Sequence, residues 1–506
     1  MKYLIGIDIG TSGTKSVLFN TDSSVVRSSS AEYPLYQPQN GWAEQSPEDW
    51  WEATVTTLKA ITEDIEAADI AGIGLSGQMH GLVMLDSENS VIRPAIIWCD
   101  GRTGAECVEI TERIGAERLI ELTANPALTG FTASKIMWVK NHEPQNYARC
   151  RKILLPKDYI RFRLSGTYAA EMSDAAGMQL LNVRERRWSD EVLDKLGIDR
   201  ELLADVFEAP YISSYVSDEA AALTGLKAGT PIAGGAGDNA AAAVGTGTVV
   251  DGRAFTTIGT SGVVYAHTSQ MLLDPGGRIH TFCSAVPGEW HVMGVTQSAG
   301  LSLRWFRDTF CEKEKKKAAE LGCDPYDIMT SEAAKSPIGC SRLLYLPYLM
   351  GERTPHLDSN ARGVFFGLSA VHDKKDMIRA VLEGVSFALN DSAGILRGIG
   401  AEISDMTICG GGAASPMWRR MLCDIFGCPV KITVSKEGAA LGAAILAGVG
   451  VGIWPSVPKA CAELVTYREP MSPDPTAGAE YAKYYKIYRS LYPALRESYA
   501  KLAEIK

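Results

Sequence analysis

Apolar and polar positions fall into short blocks at the start of the chain. "YLIGIDIG" and "KSVLFN" are β-prone runs around Gly-Thr-Ser-Gly, which predicts a hairpin with small, hydrogen-bonding residues at its tip. The layout returns half a chain later, with "AFTTIG" before and "VVYAHT" after the same turn, so Ile-Gly-Thr-Ser-Gly stands at both Ile9–Gly13 and Ile258–Gly262. Self-similarity at so long a period predicts a duplicated domain. The two halves are placed at 1–245 and 246–506, joined close to Gly245–Asp251 where "GTGTVVDG" is rich in turn residues.

Helical periodicity follows in both halves. "SPEDWWEATVTTLKAI" opens on Ser46 as cap, with Pro47 at the first position and Glu48 and Asp49 in the first turn. "KDMIRAVLEGVSFALND" is amphipathic, and "DMTICGGGAASPMWRRMLCDIF" reads as strand, glycine turn, helix. Mixed βα units in each half give an α/β protein. The stretch "GAALGAAILAGVGVGIW", Gly438–Trp454, is short for a bilayer span and reads as a buried, closely packed helix with the loop after it. Trp50, Trp51 and the pair Phe365 and Phe366 are expected to pack.

Composition narrows the partners. With 50 Lys and Arg against 60 Asp and Glu the formal charge is −10, which excludes general attraction to nucleic acid or anionic lipid, so an anionic ligand requires a local pocket. The basic run "KEKKK" is expected to be a solvated helix face. The 11 cysteines include no C-x-x-C pair and read as buried reduced thiols. With Asp8 inside the first apolar run, the N-terminus reads as a strand and not a signal peptide, and the cytoplasm is the expected compartment.

A literal G-x-G-x-x-G occurs at Gly72, Gly74 and Gly77, but "QMHGLVMLD" continues as an extended run where a dinucleotide site requires a helix to open. Three other glycine turns can donate backbone amides and hydroxyls to phosphate: "GTSGTK" at Gly10–Lys15, "GTSG" at Gly259–Gly262 and "GGGAAS" at Gly410–Ser415. Taken singly, each is also compatible with an ordinary tight turn; the repeat of the first favours phosphate. Asp8, beside the first turn, closes the hairpin or holds Mg²⁺ next to bound phosphates. Asp238 and Asn239 follow a glycine cluster in "TPIAGGAGDNAAAAVG" and open an alanine-rich helix. Asp238 is there either an N-cap or, with Asn239, a reader of a sugar hydroxyl that orients it for phosphoryl transfer.

The chain resembles the FGGY-type carbohydrate kinases, of the actin, hexokinase and heat-shock ATPase fold, over nearly its whole length. Two patterns carry the resemblance, "GFTASKIMWVKNH" at Gly130–His142 and "GVFFGLSAVHDKKDMIRAVLE" at Gly363–Glu383. Within the family, "GWAEQSPEDWW", "GQMHG", "RPAIIWCDGR", "GAGDNAA", "YLMGERTPHLD" and "GGGAASPMW" are similar to those of kinases acting on ketopentoses.

The resemblance implies two RNase H-like domains with a catalytic cleft between them, the sugar held mainly by the first and adenine by the second. It implies ATP-dependent phosphorylation of the C5 hydroxyl of D-xylulose, with Asp238 as base and Met79, His80, Asp238 and Asn239 on the sugar. Thr11, Ser12, Lys15, Thr260, Gly300, Gly411 and Ser415 would surround ATP, and Asp8 would hold Mg²⁺ directly or through water. A homodimer is implied from the resemblance alone. Cys99 departs from the pattern, where a polar residue such as Asn is expected between Trp98 and Asp100. Ribulose, arabitol and glycerol kinases are the neighbouring readings; a glycerol-type enzyme is expected to carry Arg-Glu where this chain has Met79 and His80. An actin-like ATP switch is the reading from another class, and would not require the Asp238–Asn239 pair.

Overall fold

The computed structural model describes residues 2–505. The first half builds a mixed sheet from β1 (Tyr3–Ile9), β2 (Gly13–Asn20), β3 (Val25–Glu32), β4 (Ile70–Gly77), β5 (Ile212–Tyr215) and β6 (Pro231–Ala233), in the order β3-β2-β1-β4-β6-β5. β1 pairs antiparallel with β2 and parallel with β4, and β5 closes the far edge antiparallel to β6. Leu4, Ile5, Ile7 and Ile9 are all buried, the continuous apolar run of a central strand covered on both faces.

The second half repeats this plan. Its strands are β7 (Gly252–Ile258), β8 (Gly262–Thr268), β9 (His280–Cys283), β10 (Trp290–Thr296), β11 (Ile403–Cys409), β12 (Val430–Thr433) and β13 (Tyr467–Met471), ordered β9-β10-β8-β7-β11-β12-β13. From β10 to β13 the sense of every pairing matches that from β3 to β5 in the first sheet. β9 is an added edge strand. Both expected hairpins are present, at Ile9–Gly13 and Ile258–Gly262, and the fold is the two-domain α/β arrangement expected.

Helix α1 (Pro47–Thr62) packs on β2 and β3 of the first sheet, while α2 (Asp238–Gly245) and α3 (Gly438–Gly450) pack on each other where the halves meet. Pro47 stands at the start of α1, but the Ser46 hydroxyl makes no capping bond. The glycine-rich α3 lies directly on the first sheet. A Cβ on Gly6 would sit 1.9 Å from the Ala440 carbonyl oxygen, and one on Gly74 1.8 Å from that of Ala443. Gly72 and Gly74 of the G-x-G-x-x-G thus make room for α3, and Gly77 abuts Lys157 and Ile9; β4 is followed by a loop and the short strand Val83–Leu85, with no helix opening at the third glycine. α3 also crosses α2 at backbone contact, with Ala440, Leu441 and Ala444 joining Ala240, Ala241 and Val244 in one core. This core ties the lobes together behind the cleft.

Trp50 and Trp51 are buried in the first core. Phe365 and Phe366 separate: their strand, Val364–Phe366, pairs only with Leu344–Leu346, so alternate side chains point inward and outward and Phe366 is exposed. The "KEKKK" run lies on the largely exposed helix Glu312–Leu321. No helix among the described residues is long and apolar enough to cross a membrane.

Candidate active site

A cavity of about 380 Å³ opens between the halves, lined by Met79, His80, Asp238 and Asn239 from the first and by Thr257, Ser261, Val295 and Arg353 from the second. A second cavity of about 430 Å³ lies wholly in the second half, against Thr260, Gly300, Gly411 and Ser415. The β7–β8 hairpin separates them, with Ser261 facing the first cavity and Thr260 the second. A ligand spanning both must pass its tip.

Asp238 is the first residue of α2, and the N-cap is Gly237, so the carboxylate is not spent on capping the helix. One oxygen, Oδ1, accepts from the Asn239 backbone N–H at 2.7 Å and from its amide side chain at 3.0 Å. Burial pushes the Asp238 carboxyl up to about 7, and the charge of Asp8 adds to the rise. A base poised near neutrality is what proton removal from an alcohol during transfer requires.

The turn carrying Asp238 is clamped from below. The Gly237 N–H donates to Ser173 Oγ at 3.1 Å, which in turn donates to Glu171 at 2.8 Å, and Arg161 donates to the Gly234 carbonyl. Lys157 lies 2.8 Å from Asp158 and 3.1 Å from Asp174, and all of these charges are buried. Burial raises Glu171 to about 7 and Asp174 to about 6, while Lys157 opposes both.

His80 follows β4 with φ 68°, a left-handed conformation that turns its ring into the cavity. Its Nδ1 is 2.8 Å from the Gly177 carbonyl, an acceptor, so Nδ1 carries the hydrogen and Nε2 is left to accept. Burial pulls its pKa down to about 3 and the Lys135 charge assists, which keeps the ring neutral. Lys135 Nζ donates to the carbonyls of His80 and Gly130 at 2.8 and 2.7 Å, fixing the "GFTASK" segment beside the cavity. Met79 packs against the Gly237 turn, where a Cβ would meet its Cγ at 2.8 Å.

On the first hairpin Asp8 accepts from Ser76 Oγ at 2.8 Å; burial raises its pKa, against Ser76 and the charge of Lys15. Thr11 Oγ1 accepts from Trp98 Nε1 at 2.9 Å, which ties the hairpin to a wall of the first cavity, and Ser12 is exposed at the tip. Lys15 is ion-paired with Glu437, just before α3, and so bridges the two halves.

On the second hairpin Gly300 N–H donates to the Gly259 carbonyl at 2.8 Å, and a Cβ there would lie 2.4 Å from that oxygen. Gly411 opens a single helical turn and Ser415 Oγ caps the next helix by accepting from Trp418 N–H. Thr260, Gly300, Gly411 and Ser415 are thus brought to one cavity, while Thr11, Ser12 and Lys15 line neither. Cys99 is exposed, and its side chain lines neither cavity.

Several lining residues carried no assignment in the sequence. Arg304, Tyr326 and Asp327 line the second cavity, and no motif marks them. Arg353 lines the first; its signal was a charged pair, Glu352–Arg353, set between the apolar run "LLYLPYLM" and Pro355.

The chain matches the FGGY family of carbohydrate kinases, its N-terminal domain over residues 3–245 and its C-terminal domain over 254–451. The chain belongs to this family and is an ATP-dependent carbohydrate kinase. It is 38% identical to a xylulose kinase of Escherichia coli, over 97% of this chain and 99% of that one. It is 33% identical to a gluconokinase of Bacillus subtilis, over 99% of this chain and 98% of the relative. Among solved structures, a ligand-bound xylulose kinase from Lactobacillus acidophilus superposes with a TM-score of 0.92 at 29% identity, covering 99% of this chain and 100% of the other.

Proposed function

We propose that the chain phosphorylates D-xylulose at its C5 hydroxyl, with ATP as donor and Asp238 as the base. One observation carries this reading: Asp238, raised toward neutral and free of capping duty, shares a cavity with His80 and Asn239 and is divided by one hairpin tip from a nucleotide-sized cavity. The full-length likeness to xylulose kinases supports the choice of sugar.

In this reading Asn239 and His80 Nε2 fix the sugar hydroxyls, and Asp238 accepts the C5 proton as the phosphoryl group leaves ADP. Thr260, Gly300, Gly411 and Ser415 hold the nucleotide. The lobes close on the sugar, which limits transfer to water. Among the described residues no cluster of three acidic, His or Cys side chains forms a metal cage. Asp8 alone, with one oxygen taken by Ser76, fits Mg²⁺, which keeps several waters and takes phosphate oxygens as ligands. When bound it would neutralise phosphate charge; Asp8 would hold it. Lys15 reaches phosphate only on leaving Glu437. The cytoplasm, where ATP is supplied, is the proposed compartment.

The test is ADP release across D-xylulose, D-ribulose, D-arabitol, xylitol, glycerol and gluconate, with Asp238→Ala as control. D-Xylulose is expected to give the highest kcat/KM. Equal ADP release without any sugar would defeat the kinase reading, and preference for gluconate would move the substrate to a sugar acid.

A further inference from the structure

Arg353 stands in the sugar cavity, and among the described residues its guanidinium makes no hydrogen bond or ion pair. Its neighbour Glu352 acts on it only through space and makes no hydrogen bond or ion pair with the guanidinium. Glu352 Oε2 accepts from Thr296 Oγ1 at 2.5 Å, and Oε1 from the backbone N–H groups of Gln297 and Arg353 at 2.9 and 2.8 Å. Arg353 is half-buried and its guanidinium, free of any acceptor among the described residues, faces the cavity, so its donors are open to an oxygen that a ligand brings.

Its place along the cavity is also defined. Guanidinium Nη2 lies 3.8 Å from the point a Cβ on Gly130 would occupy, and its charge depresses the pKa of both His80 and His280. The charges felt by Asp238 are instead those of Asp8 and Asp174. Arg353 thus stands beside Gly130 and the two histidines, and Asp238 lines the same cavity from the start of α2.

Sugar chemistry makes the two ends of the substrate inequivalent. A 2-ketopentose closes its five-membered ring through the C5 oxygen, so a molecule offering a C5 hydroxyl to Asp238 is in the open-chain form with its C2 carbonyl free. In the orientation proposed, C5 is at Asp238 and C1 and C2 meet Arg353 and His80.

We infer that Arg353 is a specificity-determining residue that donates to the C2 carbonyl oxygen of the open-chain ketose, while His80 Nε2 accepts from the C1 hydroxyl. The pair reads the oxidised end of the substrate and selects a ketose over the alditol of the same carbon chain. This rests on the substrate orientation proposed above.

The experiment measures kcat/KM for D-xylulose and for xylitol in the wild type, Arg353→Met and Arg353→Lys, with thermal melting to verify folding. Loss of a charged hydrogen bond is expected to lower the D-xylulose value of Arg353→Met about 10- to 100-fold, with the xylitol value changed less than about threefold. Arg353→Lys, which keeps a donor and is the arm that decides if the Met variant does not fold, should retain part of the preference. An equal loss on both substrates, leaving the ketose-to-alditol ratio at its wild-type value, would overturn the assignment and leave Arg353 a packing residue. A wild type without ketose preference would instead sink the substrate reading itself.

Discussion

The two halves share one sheet plan and differ in what they mount on it. In the first, the strand entering the hairpin ends Asp8-Ile9-Gly10, and the last parallel strand leads to a helix opening on Asp238. In the second the matching positions read Thr257-Ile258-Gly259, and the helix opens on Gly438. The turns differ too. Ile9 pairs with Thr14, whereas Ile258 pairs with Gly262, so the same pentapeptide is drawn one residue tighter and turns Thr260 and Ser261 toward separate cavities. Duplication supplied two equivalent platforms. Divergence placed the carboxylates on one and left hydroxyls and open amides on the other.

On that division, substitutions at Asp238 and Asp8 in the first half act on turnover, and those around the Thr260 and Gly300 cavity of the second act on nucleotide affinity. The largest effect belongs to Asp238→Asn, expected to cut kcat by about 10³-fold with both KM values within a few fold. The same variant should melt higher at pH 8 than the wild type. The sign follows from the raised pKa: an unfolded Asp238 ionises in the ordinary carboxylate range, near 3.8, but the folded one only near 7. Ionisation therefore destabilises the fold increasingly as pH climbs between those values. The gain from Asn should be large at pH 8 and nearly absent at pH 4; an equal gain at both would contradict the burial argument.

Asp8→Asn comes next, with a kcat loss of about 10- to 100-fold and a higher Mg²⁺ concentration for half-maximal rate. Because the Asp8 charge is the second cause of the Asp238 shift, the acid limb of the rate profile should also move to lower pH. An unchanged Mg²⁺ requirement would remove Asp8 from the metal role. On the other lobe, Gly300→Ala forces a Cβ against the Gly259 carbonyl and should raise KM for ATP about tenfold, with sugar KM unchanged. A matching rise in sugar KM would break the division of labour. Smallest is Glu437→Gln, which removes a half-exposed ion pair across the lobes and should alter KM for ATP by less than about threefold.

The duplication was legible in the sequence because the repeated unit is local: two β-prone runs and a glycine turn specify a hairpin wherever they occur. The motifs around Asp238 and His80 marked two residues that the fold brings to one cavity. What sequence could not supply was the reason for certain glycines. Gly72 and Gly74 make way for α3, which lies hundreds of residues away, so spacing alone presents them as ligand glycines. Arg353 escaped for a related cause: a guanidinium without a hydrogen-bond partner is a property of three-dimensional neighbours, and the Glu beside it in sequence spends its oxygens on Thr296 and backbone amides. Lys15 looks like a phosphate ligand until the fold brings Glu437 to it from the opposite lobe.

The most direct measurement is the pH dependence of kcat/KM for D-xylulose from pH 5 to 9 at saturating MgATP, in the wild type and in Asp238→Asn. A carboxylate held up to about 7 by burial should give a wild-type rate that falls tenfold per pH unit on the acid side of that midpoint, over a low, flat profile for the variant. A wild-type profile that stays flat down to pH 5.5, or a variant that keeps the same acid limb, would show that Asp238 is not the group receiving the proton.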